Sequence, residues 1–214
     1  MNTIITIGRQ FGSGGREIGE MVAARYGIKC YDKELLARAA KDSGLCEEIF
    51  LHHDERPTDS FLYNLVMDAY SFGYNSSPFV EMPISHKVFL AQFETIKKIA
   101  EDGPCVIVGR CADYALQDFP NLLNIFIYSK MEDRIKRVMG RFPDIASEEK
   151  ARDMIVKKDK QRRSYYDYYS SKKWGHTTTY DLSIDSSILG LERTAELIEY
   201  YVEEFEKGGG DAAK

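Results

Sequence analysis

The chain has little of what marks a metal, disulfide or membrane protein. Its four cysteines, Cys30, Cys46, Cys105 and Cys111, show no CxxC spacing. That argues against zinc and against a disulfide framework, leaving reduced and mostly buried thiols as the expectation. The four histidines, His52, His53, His86 and His176, form no ligand or triad pattern and receive no role. No apolar run approaches the ~20 residues needed to span a bilayer. Residues Met1 to Ile7 lack a basic stretch followed by an apolar one, so no signal peptide is expected. Positive charge is not in excess either. The formal net charge is -5 and the pI near 5.5, which argues against a general nucleic-acid binder. No internal repeat is visible. A cytoplasmic protein with neither a nucleic-acid nor a membrane partner is the expectation.

What is present is core. Hydrophobic residues make up 43% of the 214 and aromatics 12%, enough for one large domain or one domain with an insertion. Short apolar, β-rich segments bounded by turn residues predict strands at Thr3–Ile7, Cys105–Val108, Leu123–Tyr128 and Asp181–Ile184, with a weaker one at Ile28–Tyr31. Helical patterns lie between most of them. Ile18, Met21 and Val22 supply an apolar face after the first strand. Ser129 is placed to cap a helix through Ile135, Val138 and Met139, with Glu132 completing a capping box. Leu191–Phe205 predicts a final amphipathic helix. Strands alternating with helices predict a parallel sheet covered on both faces.

Residues 41–100 break this alternation and are expected to form a helical insertion, with helices near Phe61–Tyr70 and His86–Ala100. The domain is expected to span residues 1–206, followed by a disordered tail from Lys207 to Lys214.

The strongest local feature is the run from Gly8 to Gly19, which leaves a strand and opens a helix. Within it Gly12, Gly14 and Gly15 allow positive φ and leave backbone N–H groups uncovered. Several such donors at a helix N-terminus make an anion cradle suited to nucleotide phosphates. Gly12, Ser13, Gly14, Gly15, Arg16 and Glu17 are the candidate contacts. The run departs from the Walker A pattern, since Gly15-Arg16-Glu17 stands where Gly-Lys-Ser/Thr is usual. Arg16 supplies charge through a planar fork rather than a compact ammonium. A plain strand-to-helix turn is the competing reading.

Other sites follow from position. Gly109-Arg110 closes a buried strand, and ligands of open α/β sheets bind beyond strand carboxyl ends; there an arginine can hold a phosphate bidentately or pair with an acid. Asp32 begins a helix, either as its N-cap or as a substrate contact. The stretch Lys157 to Arg163 is a solvated helix face or a set of cations closing on a transferring phosphoryl group. Arg134, Arg137 and Arg141 recur on one side of the preceding helix. Tyr165, Tyr166, Tyr168, Tyr169 and Trp174 are expected to cover a core edge rather than stack on a base.

These residues resemble the cytidylate kinase-like family, a divergent branch of the P-loop nucleoside monophosphate kinases. The resemblance rests on Arg9-Gln10-Phe11-Gly12-Ser13-Gly14-Gly15-Arg16-Glu17-Ile18, Tyr31-Asp32-Lys33-Glu34, Val108-Gly109-Arg110 and Asp159-Lys160-Gln161-Arg162, in that order. It implies a three-layer α/β/α P-loop NTPase-type fold with a parallel five-stranded sheet, a monophosphate-binding insertion and an arginine-bearing lid at about 155–176. It further implies ATP and Mg2+ as cofactors and small-molecule nucleotide substrates. Asp32, Arg110, Asp159 and Arg162 would contact substrate; Arg16, Arg110, Arg162 and Arg163 would serve phosphoryl transfer. Two positions depart from the family pattern. Ile155 stands where cytidylate kinases carry a further arginine, and Val108 precedes Gly109-Arg110 where an aspartate often organises magnesium. No metal ligands are assigned.

Overall fold

The structure, a computed structural model, describes residues 1–44, 46–55 and 84–208. The sheet has five strands: β1 (Ile4–Arg9), β2 (Lys29–Tyr31), β3 (Cys105–Val108), β4 (Leu122–Tyr128) and β5 (Leu182–Asp185). They run in the order β2-β3-β1-β4-β5, all parallel. The weak second strand is therefore real, and it occupies one edge.

Side-chain alternation explains the layers. Ile5 and Ile7 of β1, Val106 and Val108 of β3, and Leu123, Ile125 and Ile127 of β4 point to one face. There they pack on helix α1 (Gly15–Tyr26) and the C-terminal helix α8 (Ser186–Gly208) through Ile18, Val22, Ile198 and Val202. Residues of the opposite parity, Ile4, Cys105, Ile107 and Leu122, meet the other layer. That layer holds α2 (Lys33–Ser43), α4 (Ile84–Glu101) and the short α5 (Ala112–Ala115), contributing Leu35, Ile96, Ile99 and Ala112. A two-residue period with both faces covered is what a buried parallel sheet requires. The register pairs Thr6 with Asn124, whose side chains hydrogen-bond at 2.7 Å on the second face.

Three further elements sit near the carboxyl ends of the strands. Helix α3 (Glu47–His53) buries only Phe50. Helix α6 (Met131–Arg141) and the long α7 (Glu148–Tyr169) pack on each other through Ile135, Val138, Ala151 and Ile155. Tyr165, Tyr166 and Tyr169 are buried with Phe89 and Cys111, so that part of the aromatic run does cover a core edge.

Three details differ from expectation. Ser129 does not cap α6; Lys130 takes the N-cap position and no side-chain cap forms. The Ser129 hydroxyl lies 2.7 Å from that of Ser187 and accepts from Arg137 at 3.0 Å, a tertiary use that outcompetes the local one. The last helix begins at Ser186, earlier than its apolar pattern, and breaks at Gly190, whose φ is 74°. It also runs through Lys207 to Gly208, where a disordered tail was expected to begin; residues 209–214 lie outside the described residues. The expected helix at Phe61–Tyr70 and the run Gly73–Pro78 lie outside the described residues.

Candidate active site

All five strands are parallel, so their carboxyl ends open on one edge. Order β2-β3-β1-β4-β5 sends consecutive connections to opposite sides of β1, and such a switch point leaves a crevice beyond the strands. A cleft of about 910 Å³ occupies it, lined among others by Gly12, Gly14, Gly15, Arg16, Glu17, Asp32, Arg110 and Arg162.

The glycine run builds one wall. Gln10 to Ser13 form a turn, the Ser13 N–H donating to the Gln10 carbonyl at 3.3 Å. Gly12 takes φ of 78°, as the third residue of a type II turn must. Gly14 follows at φ 82° and ends the turn where α1 starts. Ile18 N–H is the first to close a helical bond, onto the Gly14 carbonyl at 2.9 Å. The amides of Gly15, Arg16 and Glu17 therefore have no intrahelical acceptor and concentrate the positive end of the helix dipole at the cleft. A Cβ at Gly14 would strike the Leu191 side chain, and one at Gly15 would lie 2.6 Å from Arg9 Cβ.

Tertiary bonds hold this turn from behind. Ser13 is fully buried, with its hydroxyl on the Gln10 carbonyl at 2.9 Å, so it turns away from the cleft that its neighbours line. Its own carbonyl accepts from Ser186 Oγ at 2.7 Å. Asp159, expected at substrate, accepts from Phe11 N–H at 2.7 Å and pairs with Arg134. Arg134 in turn donates to the Phe11 carbonyl at 2.8 Å. Arg137 reaches the Gly12 carbonyl at 3.2 Å. The periodic arginines of α6 thus act partly as clamps on the loop backbone.

The same cleft is also lined by an arginine–carboxylate cluster. Arg110, its side chain 1% exposed, donates Nε and Nη2 to Asp54 at 2.9 and 3.0 Å. Its Nη1 donates to Asp32 at 3.0 Å and to the Val108 carbonyl at 3.2 Å. Asp32 makes no cap bond to α2; it takes Arg110 and, at 3.4 Å, Arg16. Glu55 receives Arg9 through both Nη1 and Nη2, at 2.5 and 3.2 Å. It also accepts from Arg162 Nε at 3.0 Å and from the Arg110 main-chain amide at 3.1 Å. Three arginines, Arg9, Arg110 and Arg162, thus share three carboxylates, Asp32, Asp54 and Glu55.

Backbone strain accompanies the cluster. Gly109, Arg110 and Cys111 are left-handed in succession, at φ of 79°, 56° and 55°, and Glu55 is at 49°. Each non-glycine residue in that region costs about 1–2 kcal/mol, and such strain concentrates at functional sites.

The electrostatics follow from burial and crowding. Burial alone would raise the Glu55 carboxyl, but Arg9, Arg162 and Arg110 overcome it and hold it well below the usual range. Asp32 behaves likewise, lowered by Arg110 and Arg9 against the pull of burial. Asp54 is raised, because there burial prevails over Arg110. Burial, then the neighbouring Arg9, brings Arg162 down to about 10, still fully charged at neutral pH. Arg110 goes up, as Asp54 and Asp32 outweigh its burial.

Sequence position thus brought Gly12, Gly14, Gly15, Arg16, Glu17, Asp32, Arg110 and Arg162 to one cleft. Arg16 leans along its wall, bonded to Glu20 at 2.8 Å, and Glu17 lies 3.4 Å from Arg141. Arg163 points elsewhere, its guanidinium 5.8 Å from the Trp174 ring centroid, because successive residues of α7 face different sides. Arg9, Asp54 and Glu55 were not anticipated. The acidic pair after His52-His53 was visible, but nothing local tied it to arginines far along the chain.

Among the described residues no three His, Cys, Asp or Glu side chains gather to hold a metal ion, and no helix is long and apolar enough to cross a membrane.

Five parallel strands between helical layers, with a glycine turn feeding a helix at their carboxyl edge, define a fold of the P-loop kinase type. The chain belongs to the cytidylate kinase-like family, whose profile matches residues 4–188. Membership supports a phosphotransferase. Among solved structures it is similar to an uncharacterized protein from Eubacterium ventriosum, with 31% identity over 94% of this chain and 98% of that one, at a TM-score of 0.70. It also shares its fold with a shikimate kinase from Bacteroides thetaiotaomicron, at 12% identity over 95% and 99% of the two chains and a TM-score of 0.55. Comparison with curated proteins returns no match.

Proposed function

We propose that the protein transfers the γ-phosphoryl group of ATP to a small phosphorylated acceptor, a pyrimidine nucleoside monophosphate such as CMP being the first candidate. One observation carries the proposal. A glycine turn with uncovered helix-terminal amides and an arginine cluster line a single cleft. Two cationic groups of donors in one cleft suit a reaction between two phosphorylated molecules.

The glycine wall suits a polyphosphate, because the amides of Gly15, Arg16 and Glu17 have no intrahelical acceptor and these residues line the cleft. Gly12, Gly14, Gly15 and Arg16 would hold the donor. Arg110 and Arg162 would serve the acceptor and the charge developing on the transferred group. A phosphate oxygen is already a competent nucleophile, so positioning and electrostatics carry the rate. The described side chains do not fit a protein-caged magnesium ion. Such an ion would take its ligands mainly from phosphate oxygens and water, as magnesium commonly does.

A second reading, nucleotide binding without turnover, is favoured by the state of Arg110, whose Nε and both terminal nitrogens are already engaged within the chain. A coupled assay with ATP, magnesium and a panel of monophosphates separates the two. Saturable ADP production that depends on one acceptor is expected. Tight nucleotide binding with no turnover on any acceptor would refute the kinase.

A further inference from the structure

Glu55 occupies a complete oxyanion site. Oε1 receives Arg9 Nη1 at 2.5 Å and the Arg110 amide at 3.1 Å, while Oε2 receives Arg9 Nη2 at 3.2 Å and Arg162 Nε at 3.0 Å. Two oxygens with two donors each, one arginine engaging both, is the arrangement by which proteins recognise carboxylate or phosphate groups of ligands. Here the chain fills it with its own side chain.

We infer that Glu55 is an internal occupant of an acceptor subsite formed by Arg9, Arg162 and the Arg110 amide, and that an anionic group of the acceptor enters by displacing it. The inference rests on the cleft's being a small-molecule site, as proposed above, and adds to it a competing side chain and a new ligand, Arg9.

Four observations separate a displaceable occupant from a fixed structural pair. Glu55, Arg9 and Arg162 all line the open cleft, so a solute can reach them. Glu55 has φ of 49°, and release would relieve that left-handed backbone strain. The helix leading to it, α3, packs Phe50 and the partly buried Ile49 on α2 and α4 rather than on the sheet. The neighbouring Asp54 performs the same service for Arg110, gripping it with both oxygens. Withdrawal of two consecutive residues would uncover Arg9 and Arg162 and free Nε and Nη2 of Arg110, which stays paired with Asp32. Two freed guanidiniums and half of a third exceed what a neutral acceptor needs. The subsite therefore selects acceptors bearing a phosphate or a carboxylate, because a neutral molecule would leave Arg9 and Arg162 buried and unpaired.

An internal competitor lowers apparent affinity by the fraction of time the site stands open. Glu55→Gln should therefore bind inorganic phosphate about tenfold or more tightly than wild type by calorimetry, and adding Arg162→Met should abolish the gain. Acetate titrated in parallel distinguishes the two anion types: a larger gain for acetate assigns a carboxylate to the acceptor, a larger gain for phosphate assigns a phosphate. Equal affinities in wild type and Glu55→Gln for both anions overturn the inference, as does a gain that survives Arg162→Met. The wild-type protein supplies a check needing no variant. The Arg162 Nε–H resonance should shift on saturation with phosphate or acetate, and an unmoved signal under both refutes displacement. None of these readouts requires turnover, so a negative kinase assay and a negative binding result remain distinguishable.

Discussion

Asp159 offers a sharp test, because the site geometry gives it a different task from the one its motif implies. One carboxylate oxygen accepts from Phe11 N–H at 2.7 Å and the other pairs with Arg134, which itself donates to the Phe11 carbonyl at 2.8 Å. The two side chains therefore clamp both polar groups of one loop residue. Asp159→Asn keeps the shape and one acceptor but presents an NH2 or a neutral oxygen to Arg134. Breaking a buried pair from one side costs about 3–5 kcal/mol. The Arg134 side chain is 5% exposed but keeps its bond to Phe11, and Asp159 is 17% exposed, so about 2–3 kcal/mol is the better figure here. With a urea m-value of about 2–3 kcal/mol/M, the unfolding midpoint should fall by roughly 1 M without any ligand present. Arg134→Met and the double variant complete a cycle whose coupling should reach about 1–2 kcal/mol. A midpoint unchanged within roughly 0.2 M, or strictly additive losses, would refute the clamp and return Asp159 to a substrate role.

Two other expectations follow from the geometry. Gly14→Ala places a Cβ against Leu191 at φ of 82°, and should lower stability by about 1–2 kcal/mol while weakening the ATP-induced rise in Tm. Gly44→Ala is the control, since it meets φ of 71° with open space around it; if both variants respond to ATP alike, Gly14 has no part in a phosphate cradle. The second concerns acid. Glu55 and Asp32 lie below their ordinary values of 4.5 and 3.8 in the folded protein, so each stabilises above that value and loses its contribution as pH falls through the depressed one. Asp54, raised by burial, has the opposite sign. Melting temperature should therefore drop below about pH 4.5, and Glu55→Gln should flatten part of that limb; superimposable acid limbs for the two proteins would contradict it.

The sheet was legible because each strand is a short apolar run between turn residues, and parallel burial on both faces leaves little room for another pattern. The glycine run was legible for a local reason too, since Gly12 and Gly14 sit where the chain needs positive φ. The arginine cluster was only half legible. Arg110 could be placed from the end of β3, but the partner of Arg9 lies 46 residues away and Arg162 is 107 residues from the same Glu55. Ion pairs at such separations impose no spacing on a sequence. Ser129 shows the converse, a correct local signal overridden by tertiary bonding to Ser187 and Arg137.

The same packing shapes the start of α1, where Gly15 precedes Arg16 at the position a Walker A lysine would take. Arg9 Cβ lies 2.6 Å from where a Cβ on Gly15 would stand, so the first helical residue has no space for a side chain. Arg9 itself sends its guanidinium away from the glycine turn to Glu55. Cations reach the cleft from three helices: Arg16 from α1, Arg137 and Arg141 from α6, Lys158 and Arg162 from α7. On the proposed reading, charge that one loop lysine would concentrate on the donor phosphates is spread over three helices. The position of α7 relative to the loop then matters as much as the loop itself. Asp159 ties that position at the loop, its carboxylate joining α7 to both Phe11 N–H and Arg134 of α6, beside the apolar α6–α7 contact and Arg162 on the Arg9 carbonyl.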